Sequence, residues 1–235
     1  MADKGLRTRF KTPALTPGHI PPWLKQTALL TVNSDTLRPG GLTLTRRAAE
    51  FCNFTPGNRI LDVGCGSGMT LSDLAGNLRI HGTGCDPDPV QLARAGRKTS
   101  APQSFVQSGL PDLPFAPESW DGIFCECVLS LFSYRPDCLA ELYRLTAPKG
   151  HLVITDLYLR KWMPELPFQE RIPAGTCLEG AIPMFQMLQA IEGAGFDITM
   201  IEDHSPLLRQ LGTATAFSGR RMQKTGYCMI VARKY

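Results

Sequence analysis

The sequence predicts an α/β fold, a mostly parallel sheet with helices on both faces. Three observations carry this. Strand-like runs alternate with helical stretches between about residues 59 and 155, the links between them are short, and a glycine-rich turn, Gly64-Cys65-Gly66-Ser67-Gly68, follows the first strand. Alternation with short links is the pattern of parallel strands covered on both faces.

The elements follow in order. Thr43–Phe54 reads as a helix, with Leu44, Ala48 and Phe51 at helical spacing, and Thr55-Pro56-Gly57-Asn58 ends it. Strands are expected at Arg59–Val63, Ile80–Cys85, Ser104–Gln107, Asp121–Cys125 and His151–Thr155. Helices are expected at Met69–Ala75, Pro89–Lys98 and Pro136–Thr146, with a turn at Pro148-Lys149-Gly150 before the fifth strand. Pro136 sits in a first turn, where a missing N–H costs nothing. The alternation then breaks. Residues 157–180 are long, proline-spaced and aromatic, a length that usually serves function. Ile182–Ala194 resumes as a helix closed by Gly195, followed by a strand at Phe196–Ile201, a helix at Pro206–Ala216 and a last strand at Tyr227–Val231.

Residues 1–40 are set apart as an N-terminal arm, either a loosely packed terminus or a lid over the site, with Pro13, Pro17, Pro21 and Pro22 in its first part, and 41–235 as one domain whose 157–180 insert is expected to cover the substrate. The 235 residues are ample for a buried core, and 43% hydrophobic with 20% charged residues is ordinary globular composition. A formal charge of +4, scattered along the chain, gives no concentrated basic face for nucleic acid. No apolar stretch approaches a membrane span, and the polar, proline-rich start does not read as a secretory signal. Eight cysteines, several inside strand-like runs, suit a reduced, cytoplasmic protein.

The glycine turn has three possible ligands: a dinucleotide, a nucleoside triphosphate or S-adenosylmethionine (SAM). A dinucleotide fingerprint needs a third glycine where this chain has Met69, and a P-loop needs a lysine that is absent. What remains is Asp62 followed by Gly64, Gly66 and Gly68, with a second acid, Asp86, at the end of the next strand. Glycines admit a ligand close to the backbone, an acid faces an amino group, and an acid after the second strand suits ribose hydroxyls.

Leu113-Pro114-Phe115, Trp120-Asp121 and the Pro148-Lys149-Gly150 turn complete a pattern. Over residues 41–156 the chain resembles the class I SAM-dependent methyltransferases, of the methyltransferase type 11 or UbiE-like group, and more weakly to its end. The resemblance implies a Rossmann-like, seven-stranded, mostly parallel sheet with an antiparallel last strand. It implies SAM as cofactor, S-adenosylhomocysteine as product and a small-molecule acceptor. Asp62, Gly64, Cys65, Gly66 and Gly68 would surround the methionine part, Asp86 the ribose and Pro87 the adenine, with Gly109, Leu110 and Cys125 completing the pocket. Gly109 departs from the family's usual acid on the adenine amino group. That contact is one hydrogen bond among many, worth about 1 kcal/mol.

Methyl transfer needs alignment first, and a base only if the acceptor carries a proton that must leave. Glu126, at the end of strand four, is the candidate for catalysis or acceptor positioning, against a capping role. Trp162 and Arg171 are candidate substrate contacts in the 157–180 insert. Cys125 and Cys127 form a C-x-C, expected on one face of a strand. Some relatives of this type methylate arsenite through cysteines, yet buried free cysteine is the commoner outcome. His204 reads as structural, and no C-x-x-C or histidine cluster offers a zinc site. Strand four also lacks the (Asp/Asn)-Pro-Pro-(Tyr/Phe) loop and the Pro-Cys nucleophile of nucleic-acid methyltransferases. The alternatives are a SAM-binding module without transferase activity, or a nucleic-acid or metalloid methyltransferase.

Overall fold

Apolar side chains that alternate along each central strand decide the layering. A computed structural model describes residues 38–98, 103–132, 135–160, 177, 178, 180–212 and 224–235. Its strands are β1 (Arg59–Val63), β2 (His81–Asp86), β3 (Ser104–Gln107), β4 (Trp120–Glu126), β5 (Thr146–Leu159), β6 (Ile182–Pro183), β7 (Asp197–Asp203) and β8 (Thr225–Arg233). Its helices are α1 (Leu42–Phe51), α2 (Met69–Leu78), α3 (Pro89–Lys98), α4 (Arg135–Leu145), α5 (Met184–Gly193) and α6 (Ser205–Gly212).

The strand order is β3-β2-β1-β4-β5-β8-β7, with the two-residue β6 beside β5. The pairs from β3 to β5 are parallel, and β8 runs antiparallel between β5 and β7. The path therefore has the expected seven strands and an antiparallel last one, and β6 adds an eighth, short strand. One face of the sheet carries Leu61, Val63, Ile123, Cys125, Leu152 and Ile154 against α4 and α5. The other carries Ile60, Phe124, Val153, Met229 and Val231 against α1, α2 and α6. Alternate residues of one strand thus feed separate cores, as the pleat requires.

Pro148-Lys149-Gly150 does not separate helix from strand as expected, because β5 already begins at Thr146. Lys149 takes a left-handed φ of 65° there, and its N–H bonds Lys234 O at 2.7 Å, so the kink sits inside a paired segment. The Leu113-Pro114-Phe115 segment is tied to α4. Leu113 N–H donates to Glu141 at 3.0 Å, and Arg144 donates to Phe115 O at 3.0 Å and Leu113 O at 3.3 Å. Most of the 157–180 insert, with Trp162 and Arg171, lies outside the described residues, as does the arm before Arg38. No described helix is long and apolar enough to cross a membrane.

Candidate functional site

Parallel strands bring their C-terminal ends to one edge of the sheet, where α/β folds hold ligands. Val63 pairs with Cys85 and Cys125, and Glu126 with Thr155, so the ends of β1, β2 and β4 stand side by side. Asp62, Asp86 and Glu126 are all buried there, at 3%, 8% and 7% exposure.

The glycines of the turn serve different contacts. All three have left-handed φ, 71° at Gly64, 51° at Gly66 and 73° at Gly68. A Cβ on Gly64 would overlap Val128, and one on Gly68 would meet Ala95 at 2.9 Å and Phe105 at 3.1 Å. A Cβ on Gly66 would meet nothing within 4 Å. Gly64 and Gly68 are thus required by packing, and Gly66 faces the open side of the turn.

Asp86 braces that turn. Its Oδ2 accepts Gly66 N–H at 2.9 Å and its Oδ1 accepts Asp88 N–H at 2.9 Å. Burial still outweighs these bonds and raises the Asp86 pKa above the ordinary carboxylate value. Burial, and then the Glu126 charge, push Asp62 well above its usual range, while Arg38 pulls the other way. Cys65 turns inward, its Sγ filling the space a Cβ on Gly84 would need, so only its backbone belongs to the turn. Gly109 lies beyond Pro87, whose ring atoms are 3.8 Å from the position of a Gly109 Cβ. Leu110 is enclosed in the core face that also holds Cys125.

The Cys125 side chain is fully buried in the core of the α4–α5 face. One expectation changes. Cys125 and Cys127 do not share a face: Cys125 packs with the α4–α5 face and Cys127 with the α1–α2 face. The cause is local. Cys127 has left β4 with a left-handed φ of 58°, which breaks the two-residue alternation.

Glu126 is held by groups the sequence reading did not pick out. Arg38 Nη2 lies 2.9 Å from its Oε2, Thr70 Oγ1 donates to Oε2 at 2.8 Å, and Thr45 Oγ1 donates to Oε1 at 3.0 Å. Arg38 Nη2 also reaches Thr45 at 2.6 Å and Thr70 at 2.8 Å. Burial opposes the Arg38 charge, yet Glu126, Tyr227, Asp62 and Cys127 more than offset it and its pKa rises. Arg38, placed by the sequence in the arm, is therefore part of the domain's buried network. Tyr227 Oη lies 3.3 Å from Cys127 Sγ, and Asp156 accepts Ser130 N–H at 2.9 Å, Ser130 Oγ–H at 2.6 Å and Leu157 N–H at 2.7 Å. His204 pairs with Glu202 at 3.0 Å. Among the described residues no cluster of His, Cys, Asp and Glu is arranged to hold a metal ion.

A cradle with one open glycine and a buried acid on each of two strand ends fits a small ligand carrying both ammonium and hydroxyl groups. Residues 61–154 match the family described as "Methyltransferase domain". The chain is 35% identical over 129 residues to an uncharacterized methyltransferase, YodH, of Bacillus subtilis, covering 54% of each. It is 31% identical over 182 residues to an arsenite methyltransferase of Aquipseudomonas alcaligenes, covering 69% of this chain and 53% of that one. The chain thus spans about half the length of these relatives. The fold is similar to that of Haemonchus contortus phosphoethanolamine N-methyltransferase 2 in complex with S-adenosyl-L-methionine. The TM-score is 0.73 at 17% identity, covering 90% of this chain and 56% of that one.

Proposed function

We propose that this chain, which carries a class I methyltransferase domain, transfers the methyl group of SAM to a small-molecule acceptor. The carrying observation is the convergence of Asp62, the open side of Gly66 and Asp86 at adjacent strand ends. When bound, SAM supplies an electrophilic methyl group on a sulfonium. Asp62 faces the ammonium, Gly66 admits the methionine part against the backbone, and the free lone pairs of Asp86 take the ribose hydroxyls. Pro87 and Gly109 border the adenine, beside Leu110, and the small Gly109 leaves the adenine edge to backbone groups and Ser108.

Glu126 acts in this reading as a positioning residue. Its carboxylate already accepts from Thr45 and Thr70 and pairs with Arg38. Its oxygens are already engaged by these donors, and what they fix is the end of β4 next to the cradle. Transfer then rests on proximity and alignment rather than on general base catalysis. Trp162 and Arg171 remain proposed acceptor contacts. The relatives act on different molecules by name, so the acceptor is not carried over from them. The free thiols suit a reducing compartment such as the cytoplasm.

The test is to incubate the full chain with methyl-labelled SAM and, separately, a small-molecule cell extract, DNA and RNA. Label in the small-molecule fraction with matching release of S-adenosylhomocysteine is expected. Label in nucleic acid would replace the acceptor class, and SAM binding without any transfer would leave a binding module.

A further inference from the structure

The first residues of four parallel strands meet at the edge of the sheet opposite the cradle. Arg59 opens β1, His81 β2, Ser104 β3 and Trp120 β4. With Gly82, Thr83 and Ser119 they line a cavity of about 370 Å³. A volume of this order is that of a small-molecule site. The chain passes from β3 to β4 without a helix, so that connection lays none over this corner.

Two buried polar groups border the cavity without a hydrogen-bond partner. One is the indole N–H of Trp120, whose ring meets Phe115 edge-on at 5.3 Å. The other is the whole carboxamide of Gln103, both Nε2 and Oε1. Three of the six buried side-chain atoms that lack a partner among the described residues thus gather here. Gln103 lies across Gly82, where a Cβ would overlap its Oε1. An unsatisfied buried group costs about 1–3 kcal/mol, and a glycine inside a strand weakens it further. A fold shaped only for stability would keep neither, which points to a ligand.

We propose that this cavity is a second binding site, separate from the cradle, for a small anionic ligand with a planar donor–acceptor edge, of the mononucleotide class. The strand order β3-β2-β1-β4 lays its groups in line: Gln103, then Ser104 and Thr83, then His81 and Arg59, then Trp120. At the usual strand spacing that line runs roughly 14 Å, enough for a base, a sugar and a phosphate. A glutamine carboxamide pairs through one N–H and one oxygen with an adenine edge. Gln103 turns from its berth over Gly82 to present both. Ser104 and Thr83 face the sugar, and His81, Arg59 and the Trp120 N–H take the phosphate. Asp121, the acid beside Arg59, is already engaged. It accepts Arg59 N–H at 2.8 Å and Asn58 Nδ2 at 3.4 Å, and holds Arg59 Nη2 at 3.4 Å. The Arg59 side chain is half exposed, which leaves the rest of its fork for a ligand.

The test is calorimetric titration of the full chain with AMP, with adenosine and inorganic phosphate as separate arms. Each is run with S-adenosylhomocysteine present and again on Gly66→Val, so that the cradle is filled or closed. One AMP per chain is expected in both settings, with adenosine and phosphate each bound about tenfold more weakly or worse. Gln103→Met and Arg59→Met should each lower AMP affinity about tenfold while leaving SAM affinity unchanged. Gln103→Met should melt no lower than the wild-type chain, because the unpartnered carboxamide is gone. Hydrogen exchange on the wild-type chain needs no variant: AMP should slow residues 80–84 and 103–106 and leave 62–70 unchanged. No AMP binding, adenosine or phosphate bound as tightly as AMP, or AMP binding that S-adenosylhomocysteine displaces and Gln103→Met leaves intact overturns the site. SAM binding without AMP binding overturns this site alone.

Discussion

The Arg38 guanidinium lies 2.9 Å from the Glu126 carboxylate, with the two side chains 12% and 2% exposed. This pair joins the segment before α1 to the end of β4, with Thr45 of α1 and Thr70 of α2 bonded to both partners. Removing one member of a buried pair leaves the other uncompensated, at about 3–5 kcal/mol. Glu126→Gln should therefore lower unfolding stability by about 3 kcal/mol, and Arg38→Met by a similar amount. Urea melts of both variants and of the double variant check this. The double variant should lose much less than the sum.

The turn glycines separate folding from binding. Gly64→Ala meets both a left-handed φ and Val128, and should cost about 3 kcal/mol. Gly66→Ala has open space and only the φ penalty, about 1 kcal/mol. Thermal melts should rank them in that order, while SAM titration should find Gly66→Ala weakened far beyond its small stability loss.

Asp62 titrates in a direction set by burial. Its folded pKa lies well above that of the unfolded chain. The unfolded state therefore gives up its proton first, and the stability contribution of Asp62 is full below the unfolded pKa. It declines as pH rises from there through the raised folded value. Asp62→Asn should make the ligand-free protein more stable at neutral pH, and the gain should vanish in acid. The same variant should bind SAM less tightly, because the amide cannot pair with an ammonium. Melts across pH with and without SAM read both effects.

Asp156 holds three donors near the C-terminal end of β5 and is fully buried. Asp156→Ala strands those donors, each worth about 1–3 kcal/mol when unsatisfied. A loss of about 4 kcal/mol is expected in urea unfolding. Asp156→Asn, which keeps one acceptor oxygen, should lose less.

Much of this was legible in the sequence for stated physical reasons. β1, β3 and α3 have the expected bounds because proline, glycine and asparagine punctuate the chain around them. The Asp62, Gly66 and Asp86 constellation is local to one strand–turn–helix–strand unit, so spacing was enough to find it. Arg38 was not legible. It precedes Pro39-Gly40-Gly41 and looks like a turn residue, and its partner Glu126 is distant in sequence. Nothing in periodicity encodes such a pair. Cys127 was misread for a different reason. Alternation assumes that the strand continues, and the left-handed φ after Glu126 ends it. β6 escaped because a pair of residues carries no periodic signal.

The central claim is that the Asp62–Gly66–Asp86 cradle holds SAM. Calorimetric titration of the full chain with SAM tests it most directly, alongside Gly66→Val, Asp86→Ala and the surface variant Asp197→Ala. One SAM per chain is predicted, with binding abolished in Gly66→Val, strongly weakened in Asp86→Ala and unchanged in Asp197→Ala. Absence of binding by the wild-type chain, or unaltered binding by a folded Gly66→Val protein, would contradict it.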